Sequence, residues 1–247
     1  MSILSIIIPL YNEESLVEQL LDRVLNAPLS IQKEIIVIDD GSTDHSFQKV
    51  AHWQEEHPEV PLKVLRKSNG GKGSAVRLGI AHSTGSIVII QDADLEYDPG
   101  DYQACIAPIQ QREVLVVYGS RELGGHNTEK SHFSFYLGGL LITLMTNLLF
   151  NAQLTDEPTC YKTFSGNLIR ALHFDGNGFE WEPELTAKLL RLGFRIQEVP
   201  IRYYPRSIHE GKKIKWRYGI KAMTQLVRVR FCRLRPLQDA LSLRYFL

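Results

Sequence analysis

The chain has 247 residues, of which 44% are hydrophobic and 23% charged, a size and composition that fit one large α/β domain and exclude a disordered protein. Lys and Arg total 28 and Asp and Glu also total 28, which excludes a uniformly basic or acidic protein. The charge is uneven, because residues 201–235 hold eleven Lys and Arg residues but one acid, and this excess predicts a local anionic partner, either a membrane surface or a nucleic acid.

The cysteines and the N-terminal residues indicate the cellular compartment of the protein. Cys105, Cys160 and Cys232 are odd in number and widely separated, which indicates a reducing compartment. The first residues carry no basic region and no small-residue cleavage site. We therefore expect residues 3–9 to form a strand rather than a signal peptide.

The first 120 residues alternate between β-branched runs and helical segments. Strands are predicted at residues 3–9, 34–38, 62–65, 87–90 and 114–118. Helices are expected after Asn12 and Asp44, each a candidate N-cap, after the glycine-rich segment that follows the third strand, and from Pro99 to about Gln111. This alternation predicts a doubly wound, mostly parallel sheet, with ligands bound beyond the carboxyl ends of its strands.

Three carboxylates follow the fourth predicted strand at alternate positions, namely Asp92, Asp94 and Glu96. Closely spaced carboxylates repel one another unless a cation lies between them, and oxygen ligands suit Mg²⁺ or Mn²⁺. A solvated acidic turn is the simpler alternative. An EF-hand loop is excluded because Tyr97 stands where that loop needs glycine. The pattern therefore predicts a divalent metal site, and such a cation is usually accompanied by a phosphate.

A glycine-rich segment, S-N-G-G-K-G-S, covers residues 68–74. It matches neither the Walker phosphate loop nor the dinucleotide fingerprint, and a flexible loop is an alternative interpretation. Lys72, between Gly71 and Gly73, favours a position near a phosphate.

Residues 132–150 are apolar over the shortest length that spans a bilayer. A single crossing would place the aspartate strand and residues 155–162 on opposite sides of a membrane. We therefore expect a helix that lies in the membrane plane or in the core.

The remaining segments are predicted to be two helices and an extended stretch. One helix starts near Glu182 and Glu184 and ends at Gly193, and residues 195–203 are extended. Residues 216–234 carry apolar side chains at helical spacing with basic ones on another face. This indicates a basic amphipathic helix, and packing of its apolar stripe on the core is the alternative.

Seven motifs are distributed along the chain, namely I-I-I-P-L-Y-N-E-E (6–14), V-I-D-D-G-S-T-D (37–44), G-G-K-G-S-A (70–75), D-A-D-L-E (92–96), Y-G-S-R (118–121), L-T-D-E-P-T-C-Y-K (154–162) and E-V-P-I-R-Y-Y-P-R (198–206). Together they resemble the family 2 glycosyltransferases, and within them the dolichyl-phosphate and polyprenyl-phosphate mannosyltransferases. The resemblance implies the Rossmann-like GT-A fold, a divalent Mg²⁺ or Mn²⁺ and an inverting sugar transfer. The implied donor is GDP-mannose or UDP-glucose, and the implied acceptor is a polyprenyl phosphate.

The resemblance also implies roles for individual residues. The residues expected to bind the nucleotide sugar are Pro9, Tyr11, Asn12, Glu13, Asp39, Asp40, Lys72, Asp92, Ala93 and Asp94, where Lys72 is added from the glycine-rich segment. The metal set is Asp92, Asp94 and Glu96, although the family often has glutamine at the last position. The catalytic set is Asp94, Arg121 and Arg206. The basic cluster assigned to the acceptor phosphate is Arg202, Arg206, Lys212 and Lys213.

We expect residues 1–210 to form the catalytic domain, with a nucleotide-sugar half at 1–120 and an acceptor half at 121–210. Residues 211–247 are expected to form a basic amphipathic membrane-interface segment. Many relatives add transmembrane helices, which are not evident after Tyr218. The expected protein is peripheral, bound to an anionic membrane on its cytoplasmic face, with a membrane subunit as a further candidate partner and no nucleic acid.

The nature of the acceptor decides whether a catalytic base is needed. A lipid phosphate is already an anion, whereas a sugar hydroxyl, as in polysaccharide or glycolipid synthesis, would need Asp156, Glu182 or Glu184 as a base. Two other classes remain as alternatives. A nucleotide-binding regulatory or scaffold protein is disfavoured by the carboxylates and basic residues, and a nucleic-acid binder would use the basic C-terminal third.

Overall fold

A seven-stranded mixed sheet forms the centre of the structure. The computed structural model describes residues 2–125, 133–206 and 216–232. In chain order the strands are β1 (Ile3–Leu10), β2 (Gln32–Asp39), β3 (Leu62–Arg66), β4 (Ile87–Ile90), β5 (Val116–Ser120), β6 (Lys162–Ser165) and β7 (Ile196–Pro200). Their spatial order is β3-β2-β1-β4-β6-β5-β7, and only β6 is antiparallel to its neighbours among these strands. The mostly parallel α/β sheet predicted from the sequence is confirmed.

Helices flank this sheet and continue beyond it. In chain order they are α1 (Val17–Leu25), α2 (Ser46–Glu56), α3 (Lys72–His82), α4 (Tyr102–Gln110), α5 (Phe133–Phe150), α6 (Gly166–Ala171), α7 (Trp181–Arg191) and α8 (Trp216–Phe231). A short 3-10 turn, Pro99–Asp101, precedes α4. In the described part of the chain, none of these helices is long and apolar enough to cross a membrane.

The strand register brings the ends of several strands to one edge. Ile6, Ile7 and Ile8 are fully buried, as expected of a central strand covered on both faces. In β1, Leu10 lies opposite Asp39 of β2, and Ile7 lies opposite Ile90 of β4. The polar residues that follow β1, β2 and β4 therefore share the carboxyl edge of the sheet.

The start of α1 differs from the prediction that Asn12 caps it. The helix begins at Val17, and Asn12 has a positive φ of 52°. Its side chain instead accepts a hydrogen bond from the backbone N–H of Thr43 at 2.8 Å, which ties the loop after β1 to the loop after β2. Asp44 does accept the backbone N–H of Ser46 at the start of α2, at 3.0 Å.

Strand β6 was not predicted from the sequence. It is four residues long and inserts between β4 and β5, and its first residue, Lys162, is fully buried. The Lys162 ammonium lies 4.0 Å from the centre of the Tyr118 ring and donates to the backbone carbonyl of Glu157. A buried lysine in so short a strand hides the apolar pattern by which strands are recognised.

Helices α5, α7 and α8 pack around a small apolar core of their own. Its buried residues are Ile142, Ala187, Ala222, Leu226 and Val229. Ala222, Leu226 and Val229 of α8 thus pack on protein, while Ile220, Val227 and Phe231 of the predicted apolar stripe stay exposed. Lys212 and Lys213, the expected boundary at 210/211 and the end of the predicted helix at residue 234 lie outside the described residues.

Candidate functional site

A cavity of about 790 Å³ opens at the carboxyl edge of the sheet, next to α5 and α8. Its volume is in the range of small-molecule sites. Most of the site residues proposed from the sequence line it, namely Pro9, Tyr11, Glu13, Asp40, Lys72, Asp92, Ala93, Asp94, Glu96, Arg121 and Arg206. The structure therefore brings together side chains that follow β1, β2, β4, β5 and β7.

Asn12 and Asp39 do not line this cavity. The Asn12 side chain is used by Thr43, as described above. Asp39 is fully buried, where it accepts the N–H of Ser42 at 3.1 Å and pairs with Arg66 at 3.0 Å. Both residues support the loop after β2, so we remove them from the set that faces a ligand.

Arg202 also lies outside the cavity. Its guanidinium pairs with Asp98 at 2.9 Å and Asp101 at 2.8 Å. Because successive side chains of extended backbone point to opposite sides, Arg202 faces outwards while Tyr203 lines the cavity. This position corrects the expectation that Arg202 meets an acceptor phosphate.

Asp92 and Asp94 present a pair of carboxylates to the cavity. Lys72 Nζ lies 2.8 Å from Asp92, and Arg206 Nη2 lies 3.3 Å from Asp94. Burial, together with the charges of Asp92 and Glu96, raises the pKa of Asp94 to about 7. The crowding of negative charge on oxygen ligands fits a divalent Mg²⁺ or Mn²⁺, which proteins often hold with one or two carboxylates plus substrate phosphates.

Glu96 lines the same cavity, but its carboxylate is already engaged by neighbouring donors. Its carboxylate accepts the Tyr203 hydroxyl at 2.7 Å and the backbone N–H of Arg206 at 3.0 Å. Within the described ranges, no group of three His, Cys, Asp or Glu side chains is arranged to hold a metal ion. The expected set of three carboxylates is therefore reduced to Asp92 and Asp94, with Glu96 positioning the residues after β7.

The glycines around Lys72 serve close packing rather than a phosphate loop. A Cβ atom on Gly71 would lie 2.5 Å from the carbonyl oxygen of Asn177, and one on Gly73 would lie 2.2 Å from that of Gly176. The N–H of Gly71 donates to Asp40 at 2.7 Å. Asn69, Gly71 and Lys72 of this segment line the cavity, where Lys72 Nζ bridges Asp92 and Glu182, at 2.8 Å from the latter.

Arg121 forms a two-pronged ion pair on the opposite side of the cavity. Its Nε and Nη2 donate to the two carboxylate oxygens of Asp156, at 2.7 and 2.6 Å. The guanidinium carbon lies 5.0 Å from the centre of the Tyr203 ring. Arg121 is thus a cation held directly after β5, beside an aromatic ring.

Several cavity residues were not singled out from the sequence. Phe179 and Tyr218 line the cavity with ring centres 4.9 Å apart, and Lys72 lies 5.5 Å from the Phe179 ring. Aromatic residues are common in protein cores, so sequence alone gave no reason to place these two at a site.

Glu157 is a further cavity residue that the sequence analysis did not identify. It is fully buried, and burial raises its pKa although Lys162 opposes this, with Nζ 3.8 Å from the carboxylate. Neither carboxylate oxygen has hydrogen-bond geometry with a described residue, although the Thr186 hydroxyl lies close enough to favour the charged form. Glu157 lies in the same motif as Asp156, residues 154–162, but nothing in the sequence indicated that its side chain is buried.

Comparison with known proteins gives one family and a consistent fold. The model of the family described as Glycosyl transferase family 2 matches residues 5–173. A dolichyl-phosphate beta-glucosyltransferase of Trichomonas vaginalis is 27% identical over 241 residues, which cover 92% of this chain and 72% of the relative. A dolichol-phosphate mannosyltransferase of Pyrococcus furiosus is 34% identical over 211 residues, which cover 84% of this chain but only 58% of the relative.

The sheet and helices also resemble those of a solved structure. Glucosyl-3-phosphoglycerate synthase from Mycobacterium tuberculosis, in complex with Mn²⁺, UDP and glucosyl-3-phosphoglycerate, superposes with a TM-score of 0.71. The identity is 18%, and the match covers 94% of this chain and 81% of the other. At this identity the likeness establishes the fold.

Proposed function

The chain belongs to glycosyl transferase family 2, and we propose that it transfers a sugar, with inversion, from a nucleotide-diphosphate sugar to the phosphate of a polyprenyl phosphate. The observation that carries this proposal is the composition of the cavity. One end holds Asp92 and Asp94 at the sheet edge, and the other end is lined by apolar residues of α5 and α8. The names of the relatives from Trichomonas vaginalis and Pyrococcus furiosus point to the same acceptor class.

The polar end suits the donor. Asp92 and Asp94 would hold a Mg²⁺ or Mn²⁺, which when bound supplies positive charge for the diphosphate leaving group. Lys72 supplies a second positive charge beside Asp92. Pro9, Tyr11 and Asp40 lie beyond the carboxylates along the sheet edge, where they would contact the nucleoside.

The ion pairs favour a phosphate acceptor over a sugar hydroxyl. Asp156 is held by Arg121, and Glu182 is held by Lys72. Glu184 accepts the N–H groups of Asp175 and Gly176 and does not line the cavity. All three candidate bases are therefore engaged, which disfavours proton removal from a hydroxyl, whereas a phosphate anion needs no base. Arg121 and Arg206 are the described arginines that line the cavity and would meet that phosphate.

The apolar end suits an isoprenoid chain. Gly138 of α5 and Gly219 of α8 line the cavity, and a Cβ atom on either glycine would meet no atom within 4 Å. Leu140, Leu141 and Ile220 border the same opening and are 40–47% exposed. Open space between apolar side chains is the environment that a hydrocarbon chain requires.

The outer surface of α5 and α8 suits a membrane interface. Leu144 and Leu148 of α5 and Phe231 of α8 are 54%, 76% and 77% exposed. On α8, exposed Arg217, Lys221 and Arg228 lie at helical spacing beside this apolar side. Apolar side chains flanked by cations bind anionic bilayers in the plane of the surface.

We propose that the protein is a peripheral enzyme on the cytoplasmic face of the membrane. Its cysteines are free, as is usual in a reducing compartment. A membrane subunit is a further candidate partner.

Mass spectrometry of reaction products tests the proposal. The purified protein is incubated with Mn²⁺ or Mg²⁺, a polyprenyl phosphate and each of a panel of GDP- and UDP-sugars, and GDP-mannose or UDP-glucose is expected to give a glycosylated lipid phosphate. The matched control acceptor is the same polyprenol without phosphate, which should give no product. Transfer to the polyprenol, or to a sugar hydroxyl alone, would instead support the hydroxyl-acceptor alternative.

A further inference from the structure

Arg206 lines the cavity, and three carboxylates hold it. Nη1 lies 3.1 Å from Glu13, Nη2 lies 3.3 Å from Asp94, and Nε lies 3.8 Å from Glu96. The side chain is only 15% exposed. We assign the same guanidinium to the acceptor phosphate. In this arrangement, however, it is paired with acids on the donor side of the cavity.

The ion pairs around Arg206 and Lys72 carry an excess of negative charge. Five carboxylates face two cations, which gives a formal net charge of −3 over Glu13, Asp92, Asp94, Glu96, Glu182, Lys72 and Arg206. Asp94 is the member that a divalent cation and Arg206 would share. Two cations at one carboxylate repel each other, most strongly in a buried site where the effective dielectric constant is low.

The backbone at this point is held by two hydrogen bonds that do not involve the guanidinium. The N–H of Arg206 donates to the Glu96 carboxylate at 3.0 Å, and the N–H of Tyr204 donates to the Glu96 carbonyl oxygen at 2.8 Å. The guanidinium contacts are longer, at 3.1 to 3.8 Å. Release of Asp94 therefore needs only a rotation of the Arg206 side chain.

We propose that Arg206 is an internal counter-ion of the donor-side carboxylates, and that binding of a divalent cation at Asp92 and Asp94 releases it from Asp94 to receive the acceptor phosphate. This inference rests on the proposed function and deepens it by setting a binding order. The cation binds first, and the lipid phosphate is held afterwards.

Arg202 offers a matched control. It lies four residues earlier in the same extended segment and pairs with two carboxylates, Asp98 and Asp101, but it does not line the cavity. Its removal should change the local charge by the same amount as removal of Arg206. It should not change competition for Asp94.

Mn²⁺ binding to the full-length protein, without nucleotide or acceptor, tests the competition directly. Free Mn²⁺ is measured by electron paramagnetic resonance for the parent, Arg206→Gln, Arg202→Gln and Asp94→Asn. Arg206→Gln is expected to bind Mn²⁺ at least about 10-fold more tightly than the parent, because one competing positive charge is gone. Arg202→Gln should stay within about 2-fold of the parent, and Asp94→Asn should lose the site. Equal affinity of the parent and Arg206→Gln would overturn the proposal.

A second experiment measures whether the released Arg206 side chain binds a phosphate, and it includes a check that the glutamine variant is folded. Binding of farnesyl phosphate is measured by calorimetry with and without Mn²⁺ and UDP, after thermal unfolding has shown that each variant is folded. The parent should bind this probe at least about 10-fold more tightly when both are present. Arg206→Lys should keep part of this gain and Arg206→Gln none of it.

A gain in Arg206→Gln as large as in the parent would show that the cation alone holds the phosphate, and would overturn the binding order. Either failure leaves the sugar-transfer assay unaffected, so the proposed function is judged separately.

Discussion

At the sheet edge, the cavity is lined by charged side chains that are tied together across long stretches of sequence, as in Lys72 with Asp92 and Glu182. At the mouth between α5 and α8, the lining is apolar and glycine-rich, and a small apolar core holds the helices together. The first region is fixed by ion pairs and by close backbone contact. The second leaves open space and exposes large apolar side chains, as a surface that meets lipid would.

The largest expected effect concerns the outer surface of the mouth. Replacing Arg217, Lys221, Arg228 and Arg230 with Gln removes four exposed cations at about 1 kcal/mol each near anionic lipid. We expect binding to anionic liposomes at low salt to fall by roughly 1000-fold, while donor hydrolysis in solution is unchanged. Sedimentation at increasing salt is the measurement. Unchanged binding would show that α8 is a core element and would move membrane attachment to α5 or to a partner subunit.

Loss of Asp94 should have the next largest effect, at the opposite end of the cavity. Asp94→Asn is expected to lower kcat by at least about 100-fold, as for other groups that stabilise transition-state charge, with the fold intact. Glu96→Gln is the matched control, because a glutamine oxygen can still accept from Tyr203. Initial rates measure kcat, and near-ultraviolet circular dichroism checks that each variant is folded. Full metal-dependent turnover in Asp94→Asn would show that Asp94 does not bind the metal.

Arg206 links the two regions, and its truncation should affect the acceptor more than the donor. Loss of a charge-assisted contact costs about 2 kcal/mol. Arg206→Ala should therefore raise the acceptor KM by roughly 30-fold and the donor KM far less. Steady-state kinetics with each substrate varied in turn provide the test. Unchanged acceptor kinetics would assign Arg206 a structural role only.

Two glycines contrast the tight packing of one region with the open space of the other. Gly73→Ala forces a Cβ atom to within 2.2 Å of the Gly176 carbonyl oxygen, and we expect it to lower the free energy of unfolding by about 2 kcal/mol. Gly138→Ala meets nothing within 4 Å and should raise it by about 0.5–1 kcal/mol. Urea unfolding of both variants measures the difference. Equal changes in the free energy of unfolding would show that the two regions do not differ in packing.

The pH dependence of the metal-free protein should report the crowding of negative charge around Asp94. The folded-state pKa of Asp94, about 7, exceeds its ordinary value of 3.8, so this group favours the folded state at low pH. That stability is lost as pH rises from about 4 to about 7, with a slope of up to about 1.4 kcal/mol per pH unit. Asp94→Asn should unfold with a shallower pH dependence over this window. The same slope in both proteins would show that Asp94 is not the group responsible.

The sheet edge was predictable from the sequence, and the pairing of its side chains was not. Runs such as Ile87–Ile90 identify buried strands, and the residues after them must share an edge. No pattern in the sequence indicates that Arg202 and Arg206 face different acids, or that the absence of a side chain on Gly73 allows the Gly176 carbonyl to approach. These contacts join positions about 100 residues apart. Contacts of this kind depend on tertiary packing and cannot be predicted from local sequence patterns. Strand β6 escaped prediction because buried Lys162 breaks its apolar pattern.

The central claim, that a phosphate oxygen of the lipid accepts the sugar, is tested most directly by phosphorus NMR of the lipid product. Polyprenyl phosphate is incubated with the cation and whichever nucleotide sugar the product screen selects, and Asp94→Asn is run in parallel. The account predicts that the phosphomonoester resonance is replaced by a phosphodiester resonance in the parent alone, with the sugar anomer inverted relative to the donor. A lipid phosphomonoester that persists while the nucleotide is released and the sugar is found on a hydroxyl would contradict it.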